Sequence, residues 1–277
     1  MTWLIGLAFV LAATGLAATV PGLLFNGRVA NLRERLIASQ QQRAPVTSVL
    51  PELMRAYAVR AGGRVGAPAV FHARQEATLA TSRTSPPIPV VAEQWTGTVI
   101  PGIVWSAKGS MNGLPVVVFD SYVDGRGELS ARVLGAIQVA GGAGADFDKG
   151  ELMRYLSELP VYPDAIMNGT GLAWRQLDPR TVEVTAQSAS GPASVRFIFD
   201  EVGDIARLES DDRPMAGPGG TLVPTPWHGL FGDYRQFGRY RIPAYGEVGW
   251  VLPDGLFTYW HGRLVQYGPL DQERSAP

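Results

Sequence analysis

Apolar residues run without a single charge from Thr2 to Phe25 (TWLIGLAFVLAATGLAATVPGLLF), and the pattern then changes abruptly. As a helix this stretch would be about 36 Å long, enough to cross a ~30 Å hydrocarbon core with some tilt. Trp3 suits one interface, and Phe25 followed by Asn26 and Arg28 suits the other. A cleaved signal peptide is the competing reading: Gly15-Leu16-Ala17 offers small residues for cleavage, but no Lys or Arg precedes the run. Residues 1–27 are therefore expected to be an uncleaved transmembrane anchor. Residues 28–42 place Val29, Leu32, Leu36 and Ile37 on one face, predicting a juxtamembrane helix that Ala44-Pro45 ends.

From residue 48 a different periodicity takes over. PELMRAYAVRAG reads as a short helix with Pro51 in its first turn and Gly62-Gly63 as its stop. Beyond Pro68 short alternating runs follow one another, and Leu114–Val123 is apolar on both faces, as in a strand covered on both sides. Residues 128–140 read as further strand, and GGAGAD at 141–146 as a flexible loop. One clear helix interrupts the strands: after Asp148, a plausible N-cap, Leu152, Tyr155, Leu156 and Leu159 share a face, and Pro160 and Pro163 end it. The second half alternates again, with turns at Asp178-Pro179, Ser190-Gly191-Pro192, Gly203-Asp204 and Pro253-Asp254-Gly255, and a Gly/Pro loop at 214–226. Turn signals every 8–12 residues predict an α+β fold. Its core would be a mostly antiparallel curved sheet of about ten strands, half-barrel-like and packed on a few helices. The domain reading is 1–27 anchor, 28–47 juxtamembrane helix and linker, 48–270 one β-rich domain, and 271–277 tail.

Charge and composition narrow the function. All 24 Lys+Arg and 25 Asp+Glu lie beyond Gly27 and are interleaved, for a net charge of −1. That excludes the concentrated basic face a nucleic-acid partner requires. With no cysteine, disulfides, thiolate catalysis and Cys-ligated zinc are ruled out. Arg28, Arg33, Arg35 and Arg43 follow the apolar span with only Glu34 against them. The positive-inside rule then puts the globular part of a single-pass cell-membrane protein in the cytoplasm, with the extracytoplasmic side as the alternative.

Catalytic signatures are sparse. There is no G-x-S-x-G, H-E-x-x-H or P-loop, and the three histidines, at 72, 228 and 261, stand apart in sequence. No metal or cofactor is expected. The most chemical-looking group is Glu151, Arg154 and Glu158 on one helix face. Its carboxylates could act as acid and base, or Arg154 could simply pair with Glu158 at i,i+4 and Glu151 at i,i+3. Asp120, Tyr122 and Asp124 alternate onto one side of a strand and read either as a hydrogen-bonded corner or as part of a site. Rings concentrate late in the chain, and Trp227, Tyr245, Trp250, Tyr259 and Trp260, with Tyr122, are the candidate binding residues. They would build plain core, or line an apolar groove if the sheet curves without closing.

Several stretches in order carry a resemblance: LPELMRAY at 50–57, AEQW at 92–95, FDSYVDGRGEL at 119–129, GELMRYLSELPVYPDAI at 150–166, FIFDEVGDI at 197–205, PWHGLFGDYRQFGRYRIPAYGEVGW at 226–250 and PDGLFTYWHGRL at 253–264. Together they resemble a bacterial family known only as a domain of unknown function, typically with an N-terminal membrane segment. The chain departs from it in the Thr/Gly-rich stretch after Trp95. The architecture looks similar to lipoprotein-carrier and lipoprotein-sorting domains, which implies a curved sheet wrapped around apolar helices. The leading expectation is a membrane-anchored, non-catalytic protein that binds a lipid or acyl chain. A module docking a membrane protein, or an enzyme using Glu151, Arg154 and Asp120, are the alternatives.

Overall fold

The computed structural model describes residues 22–41, 49–217 and 221–270. Most of the predicted span over 2–25 lies outside them, and no helix among the described residues is long and apolar enough to cross a membrane. The hairpins β1 (Val70–Leu79), β2 (Ile88–Gly97), β3 (Ile103–Met111), β4 (Leu114–Val123), β5 (Arg126–Val133) and β6 (Ile137–Ala143) pair in succession. Helix α3 (Ala145–Ser157), a 3-10 turn at Leu159–Val161 and α4 (Pro163–Asn168) carry the chain to β7 (Ala173–Asp178). Then β8 (Thr181–Ser188), β9 (Gly191–Phe199), β10 (Ile205–Ala216), β11 (Leu222–Phe237), β12 (Tyr240–Leu252) and β13 (Gly255–Pro269) run back, and β13 pairs with β1. Among the described residues two meanders thus join at a central seam into one antiparallel sheet of 13 strands, with β6 and β7 at its open edges.

The count exceeds the expected ten in part because residues 128–140, read as one strand, turn between β5 and β6, and several stretches read as loop lengthen the strands. Residues 141–143 belong to β6, and most of the Gly/Pro stretch at 214–226 continues β10 and β11, with Pro214 opposite Pro224. The two prolines face each other, so neither leaves a partner's acceptor stranded deep in the ladder, and proline content alone misleads there. Two of the connections are tight hairpins: Asn112-Gly113 (φ 52° and 80°) and Asp124-Gly125 (φ 53° and 76°). A positive φ at both central residues matches the right-handed twist of the flanking strands.

Curvature follows from what α3 touches. In a flat sheet β5 and β9 would lie about 43 Å apart at ~4.8 Å per strand. Helix α3 nevertheless contacts both, along with β4, β6, β8 and β10. The sheet bends around it without closing. Leu152, Met153 and Leu156 of α3, with Met54 and Tyr57 of α2 (Glu52–Arg60), pack against Phe71, Ile103 and Phe197 on the concave face. Tyr122 joins this core.

Helix α3 begins earlier than expected. Its N-cap is Gly144, so Asp148 sits inside the first turn, fully buried. There its Oδ1 accepts from the Gly127 N–H at 2.7 Å, tying the helix to β5. Gly127 must be glycine, because a Cβ there would lie 2.1 Å from the Phe147 carbonyl oxygen. Pro163 does not end a helix; it opens α4, where a missing N–H costs nothing.

Helix α1, residues 22–40, covers part of the convex face. Phe25, Leu32 and Leu36 pack with Val104, Phe119 and Val123. Phe25, expected at a membrane interface, instead lies 5.6 Å from the Phe119 ring. Arg28 pairs with Glu128 and Arg35 with Asp124 at the helix flanks. Gln40, 2% exposed, accepts from the Val99 and Ile100 N–H groups at 3.0 Å each. Leu36 is fully buried, so Leu36→Ala is expected to cost about 2–3 kcal/mol. Limited proteolysis should then cut α1 away before the sheet; equal protection of helix and sheet would show that α1 is not held by this contact.

Candidate functional site

The helices fill only part of the concave face. Beyond them, a cavity of about 570 Å³ is walled by both halves of the sheet. Its apolar wall includes Ile88, Val116 and Val118 on one side and Phe231, Val248 and Leu264 on the other. On β4 the alternation that sends Phe119 to α1 sends Asp120, Val118 and Val116 inward.

Charge gathers where the cavity meets α3. The Arg154 guanidinium donates to Asp120 and, at 3.1 Å, to Glu158, and lies 4.8 Å from the Trp105 ring centroid. Of the two helical pairings expected for Arg154, the i,i+4 contact forms. The i,i+3 partner Glu151 instead faces Arg213, 4.0 Å away. Around this group runs a buried amide relay. Trp105 Nε1 donates to Gln75 at 2.9 Å, Gln75 to Gln94 at 3.2 Å, and Gln94 to Glu158 and to the Tyr162 hydroxyl. Every charged member thus sits in low-dielectric surroundings, held by partners reaching in from β2, β3, β4 and β10.

Burial sets the protonation. Desolvation, with the charge of Asp120 added, pushes the Glu151 carboxyl up to about 8 despite Arg213 and Arg154. Burial also raises Asp120, opposed by Arg154 and Arg213. Burial alone would lower Arg154, but the carboxylates of Asp120, Glu158 and Glu151 hold it firmly protonated.

The ring residues singled out in the sequence separate into two groups. Trp227, Tyr245, Tyr259 and Trp260 line the cavity. Trp250 stacks on Tyr259 at 5.6 Å from behind, and Tyr122 lies in the packed core beneath the helices rather than at the cavity. Asp124 is at a turn, paired with Arg35, and does not meet Asp120. Among the described residues no cluster of His, Asp and Glu could hold a metal ion.

Arg213 escaped sequence reasoning. Strand β10 carries a bulge between Ser210 and Arg213, visible in the sequence only as the acidic pair Asp211-Asp212 interrupting an alternating run. Without the extra residue, positions 210 and 213 would point to opposite faces; with it, both are buried. The displaced acids remain outside, where Asp212 meets Lys149 at 2.6 Å and Asp211 meets Arg196.

A family model described as a family of unknown function, DUF6544, matches residues 40–262. No curated protein matches. Among solved structures, the chain is similar to a candidate outer membrane lipoprotein-sorting protein domain from Vibrio parahaemolyticus (8% identity, 78% of this chain and 90% of that chain covered, TM-score 0.37). It is also similar to a LolA superfamily protein from Nitrosomonas europaea (8% identity, 80% and 92% covered, TM-score 0.36). A DUF1329 family protein from Desulfovibrio piger is a third such structure (9% identity, 82% and 92% covered, TM-score 0.36).

Proposed function

Because the chain belongs to DUF6544, a family of unknown function, we propose from the site itself that it is a non-catalytic binding protein holding a lipid or acyl chain in the groove of its curved sheet. The observation that carries this reading is the apolar cavity of about 570 Å³, within the roughly 300–1,000 Å³ of small-molecule sites. At ~30 Å³ per water it has room for roughly 19 waters, and a methylene needs about the same space. A single chain of on the order of 16 carbons fills it. Arg154 supports the non-catalytic reading, since its contacts with Asp120 and Glu158 are closed ion pairs.

The test is organic extraction of the purified full-length protein followed by mass spectrometry, together with titration of a neutral apolar dye. Ala131 faces the cavity from β5. Ala131→Trp is expected to weaken dye binding at least about tenfold by filling the space while leaving the fold intact. Unchanged affinity in a folded Ala131→Trp protein would sink the reading.

The proposal retains the apolar run ahead of Phe25, residues 2–24, as a single-pass membrane tether, with the globular part on the cytoplasmic side by the distribution of arginines around the span. A reporter fused after Pro277 tests the side: activity only in an extracytoplasmic assay reverses the assignment.

A further inference from the structure

One wall of the cavity carries Arg213 and Trp227, whose side chains keep hydrogen-bond donors without partners. Arg213 is 8% exposed, and its guanidinium carbon lies 4.2 Å from the Trp227 ring centroid and 5.6 Å from that of Trp250. One of its nitrogens donates to the Tyr259 hydroxyl at 2.9 Å, and its Nε has no partner. Trp227 Nε1 and Ser210 Oγ also lack partners, and Ser210 stands directly opposite Trp227 in the β10–β11 register. A buried donor without an acceptor costs about 1–3 kcal/mol, more when charged. Three of them on neighbouring positions of β10 and β11, with Arg213 turned inward by the bulge, are therefore costly unless something accepts from them.

The counter-charge is uneven as well. Arg154 has two carboxylates, Asp120 and Glu158, within hydrogen-bond reach. Among the described residues the carboxylate nearest Arg213 is Glu151, at 4.0 Å, with Asp120 acting from farther off, and the burial described above favours the neutral form of Glu151. A neutral Glu151 turns its own unpartnered oxygen into a further potential donor.

Resting on the cavity reading, we propose that Arg213, stacked on Trp227 in the cavity wall, forms an anion subsite. The chain held in the cavity would then end in a carboxylate or phosphate head, clamped by the Arg213 guanidinium. The planar fork of arginine matches either head with two parallel hydrogen bonds, whereas an uncharged alcohol would satisfy one donor at most.

Competition for a neutral apolar dye on the full-length protein tests the proposal, using hexadecanoate, hexadecyl phosphate, hexadecanol and hexadecyltrimethylammonium below their micellar ranges. Hexadecanoate or hexadecyl phosphate is expected to displace the dye at about tenfold lower concentration than hexadecanol. The stronger of the two anions identifies a free fatty acid or a phosphate-bearing lipid as the source of the head. Arg213→Met should erase the difference by weakening the two anions far more than hexadecanol. If Arg213→Met does not fold, Arg213→Lys, which keeps the charge but loses the fork, should reduce the preference for anions without reversing it. Equal binding of hexadecanol and the anions, or preference for the cationic amphiphile, overturns the anion subsite and leaves the cavity reading standing. Failure of all four to displace a bound dye overturns both.

Discussion

Arg154→Ala is expected to lower folding stability by about 3–5 kcal/mol, the penalty for leaving buried charge unpaired. The side chain is 13% exposed and is shared by Asp120 and Glu158, which are 14% and 23% exposed. Removing it leaves two carboxylates with no cation in hydrogen-bond reach and takes a guanidinium off the Trp105 face. Denaturant unfolding gives the measurement. Combining Arg154→Met with Asp120→Asn and Glu158→Gln should recover much of the loss, because a buried ion cluster replaced as a whole costs far less than one broken in the middle. An additive triple variant would show that the three groups do not act as a unit. As a reference, Arg180→Ala touches only the exposed pair with Glu201 and is expected to change stability by less than about 0.5 kcal/mol.

Glu151 gives the second large effect, read against pH. Its carboxyl is raised to about 8 in the folded protein by burial, with Asp120 and Glu158 adding and Arg213 and Arg154 opposing. The unfolded chain titrates near the ordinary glutamate value of about 4.3. A folded-state value above the unfolded one means the folded protein holds its proton more tightly. The stabilisation is then full below about pH 4 and is lost progressively as pH rises toward 8. On the order of a few kcal/mol should disappear over that interval. Glu151→Gln keeps the shape and removes this titration, so its stability should fall much less than the parent's between pH 5 and 8 and exceed the parent's at pH 9. A parent and a variant with parallel pH profiles would rule out Glu151 as the group responsible.

Much of the fold can be read from local pattern. Strand alternation, the Asp124-Gly125 turn and the apolar face of α3 are encoded within a few residues of themselves. The errors arise where distant contacts decide. Asp148 looks like an N-cap because nothing nearby shows that Gly127, across the helix–strand interface, needs its carboxylate. Tyr122 and Trp227 are both aromatic strand residues, and only the extent of the helical plug separates the one in the core from the one in the cavity wall. At the site, Glu158 was legible as an i,i+4 partner, but the Arg154–Asp120 pair joins residues 34 apart. Arg213 was not legible because a bulge changes which face a strand residue occupies, and composition does not mark it.

The seam between β1 and β13 sets the order in which the molecule can be completed during synthesis. Phe71 pairs with Pro269 and Leu79 with Trp260, so the first strand of the sheet must wait for nearly the whole chain before its second neighbour exists. At about 5–20 residues per second, that delay is on the order of 10–40 s. A half-sheet of β1 through β6 formed over that time would leave its concave apolar face and its β1 edge open, a template for pairing with other nascent chains. The helices that follow β6 cover part of that face before the second meander is made. Their position in the middle of the sequence therefore works as an internal shield for a translation intermediate.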